Sequence, residues 1–184
     1  KTDSDKVKES SDLNVVHVKL TRNKTGPSGV RLSLVVSQAE GLLSDLTNFH
    51  FLKEEKWGFS GNDQNYVFDL CPDIKLSRTT VREKLDSHPE LRRALVIGAQ
   101  MRMMEIYYRG LDMDVHVSPA ELYKRIVDQG YSWSDLLNTR DFWMFKSDEE
   151  KASLPRLTTM DILQMGAGRY TPSWLKKASK AKST

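Results

Sequence analysis

The hydrophobic pattern of the chain changes period at Pro72, and that change limits the fold more than any other feature. Ahead of Pro72 apolar residues tend to recur at every second position; beyond it they recur at three- and four-residue spacing. Asn14-Val-Val-His-Val-Lys-Leu-Thr-Arg22 alternates and is rich in β-branched residues. It predicts a strand with Val16, Val18 and Leu20 on one side and His17, Lys19 and Thr21 on the other. Residues 23–29 hold two glycines and a proline, which is turn chemistry, and residues 30–37 predict the returning strand of a β-hairpin. Ala39, Leu42, Leu43 and Leu46 stand at helical spacing, so residues 38–47 predict a short helix. Residues 49–53 and 57–60 predict one or two more strands, 61–65 a turn, and 66–70 a further strand.

After Pro72 the elements become helical. Ser77 reads as the cap of a helix over 78–85. Pro89 opens a long helix over 90–109, with Leu91, Leu95, Ile97, Met101 and Met104 on a broad apolar face and Gly110 as its stop. Ser118-Pro-Ala-Glu121 combines a capping serine, a proline at the first helical position and a glutamate three residues after the cap. That helix runs to Asp128 and stops at Gly130. Short helices are predicted over 132–138, 141–145 and 158–165, the last broken by Gly166 and Gly168, with a final helical turn or two over 172–180. The expected fold is α+β: an N-terminal antiparallel sheet, made of the hairpin, further strands and a short helix, followed by a mainly helical C-terminal half. The expected organisation is a frayed terminus over 1–12, a β-rich subdomain over 13–72, a helical subdomain packed on it over 73–165, and a basic arm over 166–184.

Composition removes several classes. With 39% apolar and 29% charged residues, the 184-residue chain is ordinary for a globular protein, not collagen-like, coiled-coil or wholly disordered. The longest apolar run, residues 94–99, is too short to span a membrane as a helix. A single cysteine, Cys71, cannot form an internal disulfide, which makes an intracellular, reducing compartment the natural setting and a buried inert thiol the expected state. The first residue is Lys1 rather than methionine, which reads as a fragment or a processed product. There is no phosphate-cradling G-x-x-x-x-G-K, dinucleotide fingerprint, nucleophile elbow or H-E-x-x-H, so neither an enzyme nor a cofactor is expected. Asp112-Met-Asp-Val-His116 is the one metal-like cluster. On an extended backbone Asp112, Asp114 and His116 share a face that could hold a divalent cation. The same stretch also reads as an acidic loop between helices with Met113, Val115 and Val117 turned inward, and no metal is expected.

The net charge of +3 conceals an asymmetry. Residues 1–75 carry 10 Lys+Arg against 11 Asp+Glu, residues 76–150 carry 11 against 13, and residues 151–184 carry 7 against 1. The whole cationic surplus lies in the last segment. A cationic tail attracts polyanions such as nucleic acid or an acidic protein surface; the alternative is a solvated terminus that aids solubility. A second basic group, Lys19, Arg22, Lys24 and Arg31, surrounds the hairpin tip. It could track phosphates, or simply discourage pairing at the sheet edge.

Two short segments carry resemblances. Leu76-Ser-Arg-Thr-Thr-Val-Arg-Glu-Lys-Leu85 resembles the recognition helix of bacterial helix-turn-helix regulators. That resemblance implies that Ser77, Arg78, Thr79, Thr80 and Arg82 face phosphates and base edges, and it requires a scaffold helix just ahead. Gly166-Ala-Gly-Arg-Tyr-Thr-Pro-Ser-Trp-Leu-Lys-Lys-Ala178 resembles the DNA-binding loop of histone-like nucleoid silencers, with Tyr170 as an extra residue. It implies Arg169 inserted into the minor groove and Lys176 and Lys177 on phosphates; Lys180 continues the basic run. The other reading has Tyr170, Trp174 and Leu175 pinning the arm to the body or to a neighbour. Trp133, Phe142, Trp143, Met144 and Phe145 form an aromatic-rich cluster, part core and part, at Trp143, available to a partner.

The sequence thus predicts a non-enzymatic nucleic-acid-binding protein that uses a basic C-terminal arm and a cationic hairpin. The alternative is a structural or adaptor subunit of a larger assembly, for example a viral or organellar complex, docking through the arm and aromatic cluster. Either is compatible with a homo-oligomer. Removing residues 166–184 is expected to leave the body folded.

Overall fold

A computed structural model of the chain describes residues 12–22, 24, 28–62, 65–77, 79–107, 116–141 and 153–177. The fold is α+β. Strands β1 (Leu13–Lys19), β2 (Arg31–Ser37) and β3 (Gly41–Leu42) form one antiparallel sheet in the order β1-β2-β3. Helix α1 (Ser44–Glu54) follows, and then β4 (Phe59–Asn62), β5 (Asn65–Phe68) and β6 (Cys71–Leu76) form a second antiparallel sheet in the order β4-β5-β6. Five helices follow among the described residues: α2 (Val81–Ser87), α3 (Pro89–Tyr107), α4 (Pro119–Asp128), α5 (Trp133–Leu137) and α6 (Thr159–Gly166). None of the helices among the described residues is long and apolar enough to cross a membrane.

The hairpin pairs Leu13 with Ser37 and Lys19 with Arg31. Its ladder runs on past β1 at both ends, through Leu20 N–H to the Val30 carbonyl (2.8 Å) and Gln38 N–H to the Asp12 carbonyl (3.2 Å). The two faces of this sheet differ. Val35 turns toward α1, is buried, and donates its N–H to Thr47 Oγ1 at 3.0 Å. The opposite face carries Val16, Val18 and Leu20 along β1, and Val30, Leu32, Leu34 and Val36 along β2. Leu42, the partner of Val36, extends it into β3. Apart from Asn14 at one end, this face is wholly aliphatic. Val16, Val18, Leu20 and Leu42 are 45%, 41%, 38% and 54% exposed.

Two expectations for residues 38–53 are overturned. The helix expected over 38–47 gives way at its start to a turn, because Ser37 Oγ accepts the N–H groups of Ala39 (3.1 Å) and Glu40 (3.0 Å). Gly41, at φ +80°, then re-enters the sheet. The run expected as a strand over 49–53 lies inside α1, where Leu46, Phe49 and Leu52 are buried at three-residue spacing. Pro72 does not end the sheet either. It lies exposed on edge strand β6, where a missing N–H costs no ladder bond, beside a register shift between Val67 and Phe68. The helix expected from Arg78 starts later, at Val81. Thr80 is its N-cap residue, and Ser77 closes the turn before it through its carbonyl to Val81 N–H (3.0 Å).

The later helices start where the sequence places their caps. Ser118 Oγ accepts Glu121 N–H at 3.2 Å, and Thr158 and Asp161 close a reciprocal capping box on α6. The expected stop at Gly110 and most of the helix expected over 141–145 lie outside the described residues, as do residues 1–11 of the expected frayed terminus. The expected final helix is corrected to a single turn at 173–174, with Leu175 N–H bonding the Pro172 carbonyl at 3.1 Å. Arg140 and Arg156 form a parallel bridge: Arg140 N–H donates to the Pro155 carbonyl (3.1 Å) and Leu157 N–H to the Arg140 carbonyl (2.9 Å). Arg140 Nε adds a bond to the Leu154 carbonyl (3.1 Å).

Buried side chains form one cluster from Val35 to Leu175 that draws on both sheets and on α1 through α6. Cys71 belongs to it as a free thiol. Burial, with Glu90 and Asp73 adding to it, pushes its pKa up from 9.0 to about 11. The folded thiol therefore stays protonated where an unfolded one ionises. Its contribution to stability is flat below pH 9 and declines as pH rises from 9 toward 11. Native protein at pH 8 is expected to resist alkylation by iodoacetamide and denatured protein to take up one equivalent rapidly, as read by mass spectrometry.

Candidate nucleic-acid interface

The basic residues singled out in the sequence fall into three places. The hairpin tip holds the first group. Lys19 and Arg31 face each other across β1 and β2, and Arg22 and Lys24 are exposed just beyond. Among the described residues, no carboxylate is recorded within ion-pair distance of these four. Like charges placed directly opposite repel each other, so the tip gains from an external anion.

The second place is the base of the same hairpin. Arg82 on α2 pairs with Glu40 and lies 4.0 Å from Asp12. Asp12 also accepts the Ser37 hydroxyl at 2.6 Å. The guanidinium is thus occupied by this chain's own carboxylates. The helix-turn-helix resemblance implied a scaffold helix ahead of α2, and strand β6 stands there instead. Ser77, Thr79 and Thr80 spend their hydroxyls on one another, at 2.8–3.1 Å. Arg78 lies outside the described residues.

The third place is the C-terminal arm. The glycines of Gly166-Ala-Gly168-Arg169 have local structural reasons. A Cβ on Gly166 would stand 2.9 Å from Leu122 Cδ1, so only glycine lets α6 approach α4 this closely. Gly168, at φ +73°, turns the chain out of α6. Its N–H bonds the Met165 carbonyl at 2.9 Å, and Arg169 N–H bonds the Gln164 carbonyl at 2.8 Å. This pair of bonds is the Schellman pattern, and it fixes the direction in which residue 169 leaves the helix. Beyond it the arm is tied down. Gln129 Nε2 donates to the Gly166 carbonyl (3.0 Å), the hydroxyls of Tyr131 and Thr171 share a hydrogen bond (3.0 Å), and Pro172 is buried. Leu175 is only 8% exposed and belongs to the core.

On this anchored backbone Tyr170 and Trp174 remain 41% and 40% exposed. Arg169, Lys176 and Lys177 are exposed around them. No carboxylate is recorded within ion-pair distance of Lys176 or Lys177 among the described residues. Lys177 Nζ lies 5.3 Å from the centre of the Tyr131 ring. Leu175 and Pro172 therefore hold the arm in place, while two aromatic rings and three cations stay at the surface. Sequence reasoning missed the anchors Gln129 and Tyr131, and nothing in their local pattern marks them. The same anchoring bears on the expectation that removing residues 166–184 leaves the body folded, because truncation there takes Leu175 out of the core. Lys180 and Trp143 lie outside the described residues.

Other candidates resolve differently. Asp112 and Asp114 lie outside the described residues, and half-buried His116 borders a cavity of about 130 Å³ beside Trp57. No group of three metal-binding side chains occurs among the described residues. A cavity of about 540 Å³ sits at the start of α3 and is lined by Arg92, Arg93 and Arg140 against Asp45, Glu90 and Asp141, so its charges balance. Arg93 is buried, donates to the Leu157 carbonyl and lies 3.6 Å from Asp141. Burial pulls its pKa down and Asp141 opposes that shift. Its Nε and Nη1 are buried without a hydrogen-bond partner among the described residues. It reads as a structural ion pair on the apolar face of α3.

No protein-family model matches the chain, and no curated protein or solved structure matches it.

Proposed function

We propose that the chain is a non-enzymatic nucleic-acid-binding protein whose C-terminal arm is the principal contact and whose hairpin tip is a second one. The observation that carries this reading is the arm itself: its backbone is locked to the core while Tyr170, Trp174, Lys176 and Lys177 stay exposed. Cations supply the sequence-independent attraction to phosphate, and aromatic faces accept unstacked bases. Rigid presentation lowers the ordering cost of binding. A second reading, a structural subunit whose partners are proteins, is favoured by the aliphatic face of the first sheet, which a polyanion has no means to cover.

Fluorescence anisotropy with single- and double-stranded DNA and RNA at two salt concentrations tests the proposal. Neutralising about four to six phosphates makes log affinity fall steeply with log salt, by ~0.7–0.9 per contact. Binding that is absent for all four probes, or indifferent to salt, overturns it.

A further inference from the structure

We propose that the aliphatic face of the β1-β2-β3 sheet is where two copies of the chain associate, sheet on sheet, about a two-fold axis lying across the strands. The face bears Val16, Val18, Leu34 and Leu42 with no aromatic side chain. Nothing among the described residues packs on it, and its residues are not among the apolar side chains that adjoin the core. Water-exposed aliphatic surface of this kind is a favoured place for association.

The rim selects the partner. At one end stand Arg22 and Lys24, with Lys19 and Arg31 at the same end but on the Val35 side of the sheet. Among the described residues, the other end has Asp12 and Glu40 with the cation Arg82, a net charge of −1. The ends are separated by seven residues, roughly 23 Å of strand at ~3.3 Å per residue. That exceeds the ~8 Å screening length at physiological salt, so they act as separate poles. A lipid surface or a uniformly charged partner matches only one of the poles. A second copy matches both. Two in-plane axes would stack this face on itself. An axis along the strands places basic tip on basic tip. An axis across the strands places each basic tip against the other copy's acidic base, and the contact is isologous. Aligned sheets pack about 10 Å apart at about −30°, a geometry that twisted aliphatic faces adopt.

The footprint is small. Two full strands and the short β3, at ~4.8 Å between strands, offer roughly 300 Å² per copy. Stable complexes bury about 800 Å² per partner. The dimer is therefore weak, half-dissociated at about 0.1 mM, and forms where the protein is concentrated.

Light scattering against concentration tests this. The weight-average mass of the wild type rises from 21.1 kDa toward twice that value between about 10 μM and about 1 mM. Val18→Glu, on the proposed contact, holds the monomer mass throughout, and Val15→Glu, on the opposite face, dimerises like the wild type. Thermal unfolding confirms that each variant is folded, and Leu42→Glu on the same face replaces Val18→Glu if that variant is not. A wild type that stays monomeric to about 1 mM overturns the proposal, whether or not it sediments with phosphatidylserine vesicles. So does dimerisation that survives both Val18→Glu and Leu42→Glu, or that is lost only in Val15→Glu.

Discussion

If the proposed function holds, replacing Arg169, Lys176 and Lys177 together with alanine is expected to weaken nucleic-acid binding about a hundredfold near physiological salt. Each phosphate contact contributes about 1 kcal/mol there through counterion release, so three contribute about 3 kcal/mol. The same variant lowers the slope of log affinity against log salt by about two to three. Its stability stays within about 0.5 kcal/mol of the wild type, since all three side chains are exposed. Tyr170→Ala and Trp174→Ala behave differently: each removes about 1–3 kcal/mol of stacking and leaves the salt slope unchanged. Anisotropy titrations across a salt series read both quantities. A triple variant with wild-type affinity and slope removes the arm from the interface. Substitution is the right test because the arm cannot be cut away without exposing the site that Leu175 fills.

Phe68→Ala costs about 3–5 kcal/mol of folding free energy, measured by urea unfolding. The ring is fully buried and stacks on Phe59 with centroids 4.8 Å apart. It fills the notch left by two glycines: a Cβ on Gly98 would stand 2.7 Å from Phe68 Cζ, and one on Gly58 would stand 2.9 Å from Phe68 Cε2. Gly98→Ala therefore sets two effects against each other. Alanine is the better helix former by about 1 kcal/mol, and overpacking costs about 1–3 kcal/mol. Overpacking wins because the near atom is the tip of a ring wedged between α3 and the second sheet. Gly98→Ala destabilises the wild type and costs less in the Phe68→Ala background, where the close contact left to its methyl is Leu52 Cδ1 at 3.3 Å. Equal effects of Gly98→Ala in both backgrounds would show that the ring and the glycine are not coupled.

The α+β fold could be read from the sequence because its strongest signals are local. The hairpin alternation, the Ser118-Pro119 start and the Thr158-Asp161 box each specify an element through side chains within four residues of one another. The failures are of two kinds. Residues 49–53 are apolar and aromatic over too short a window to separate strand from helix; only the burial of Leu46, Phe49 and Leu52 on one side of α1 decides it. Pro72 was a misleading stop because an edge strand tolerates it, and edge position is a property of the whole sheet. The site divides in the same way. That the tail is basic is plain from counting residues. That Arg82 is tied to Glu40, 42 residues away, and that Leu175 anchors an arm with Tyr170 and Trp174 outside, depends on long-range packing that no local pattern carries. The aliphatic sheet face did leave a signal. The alternation puts Val16, Val18 and Leu20 on one side of the first strand, but nothing in the sequence says whether another element covers them.

The bridge between Arg140 and Arg156 couples two parts of the chain that are far apart in sequence. Two backbone bonds and the Arg140 Nε bond to the Leu154 carbonyl hold residue 140, just after α5, against residues 154–157, just ahead of α6. A proline at 140 or at 157 removes one of those backbone donors, so either substitution loosens both segments together.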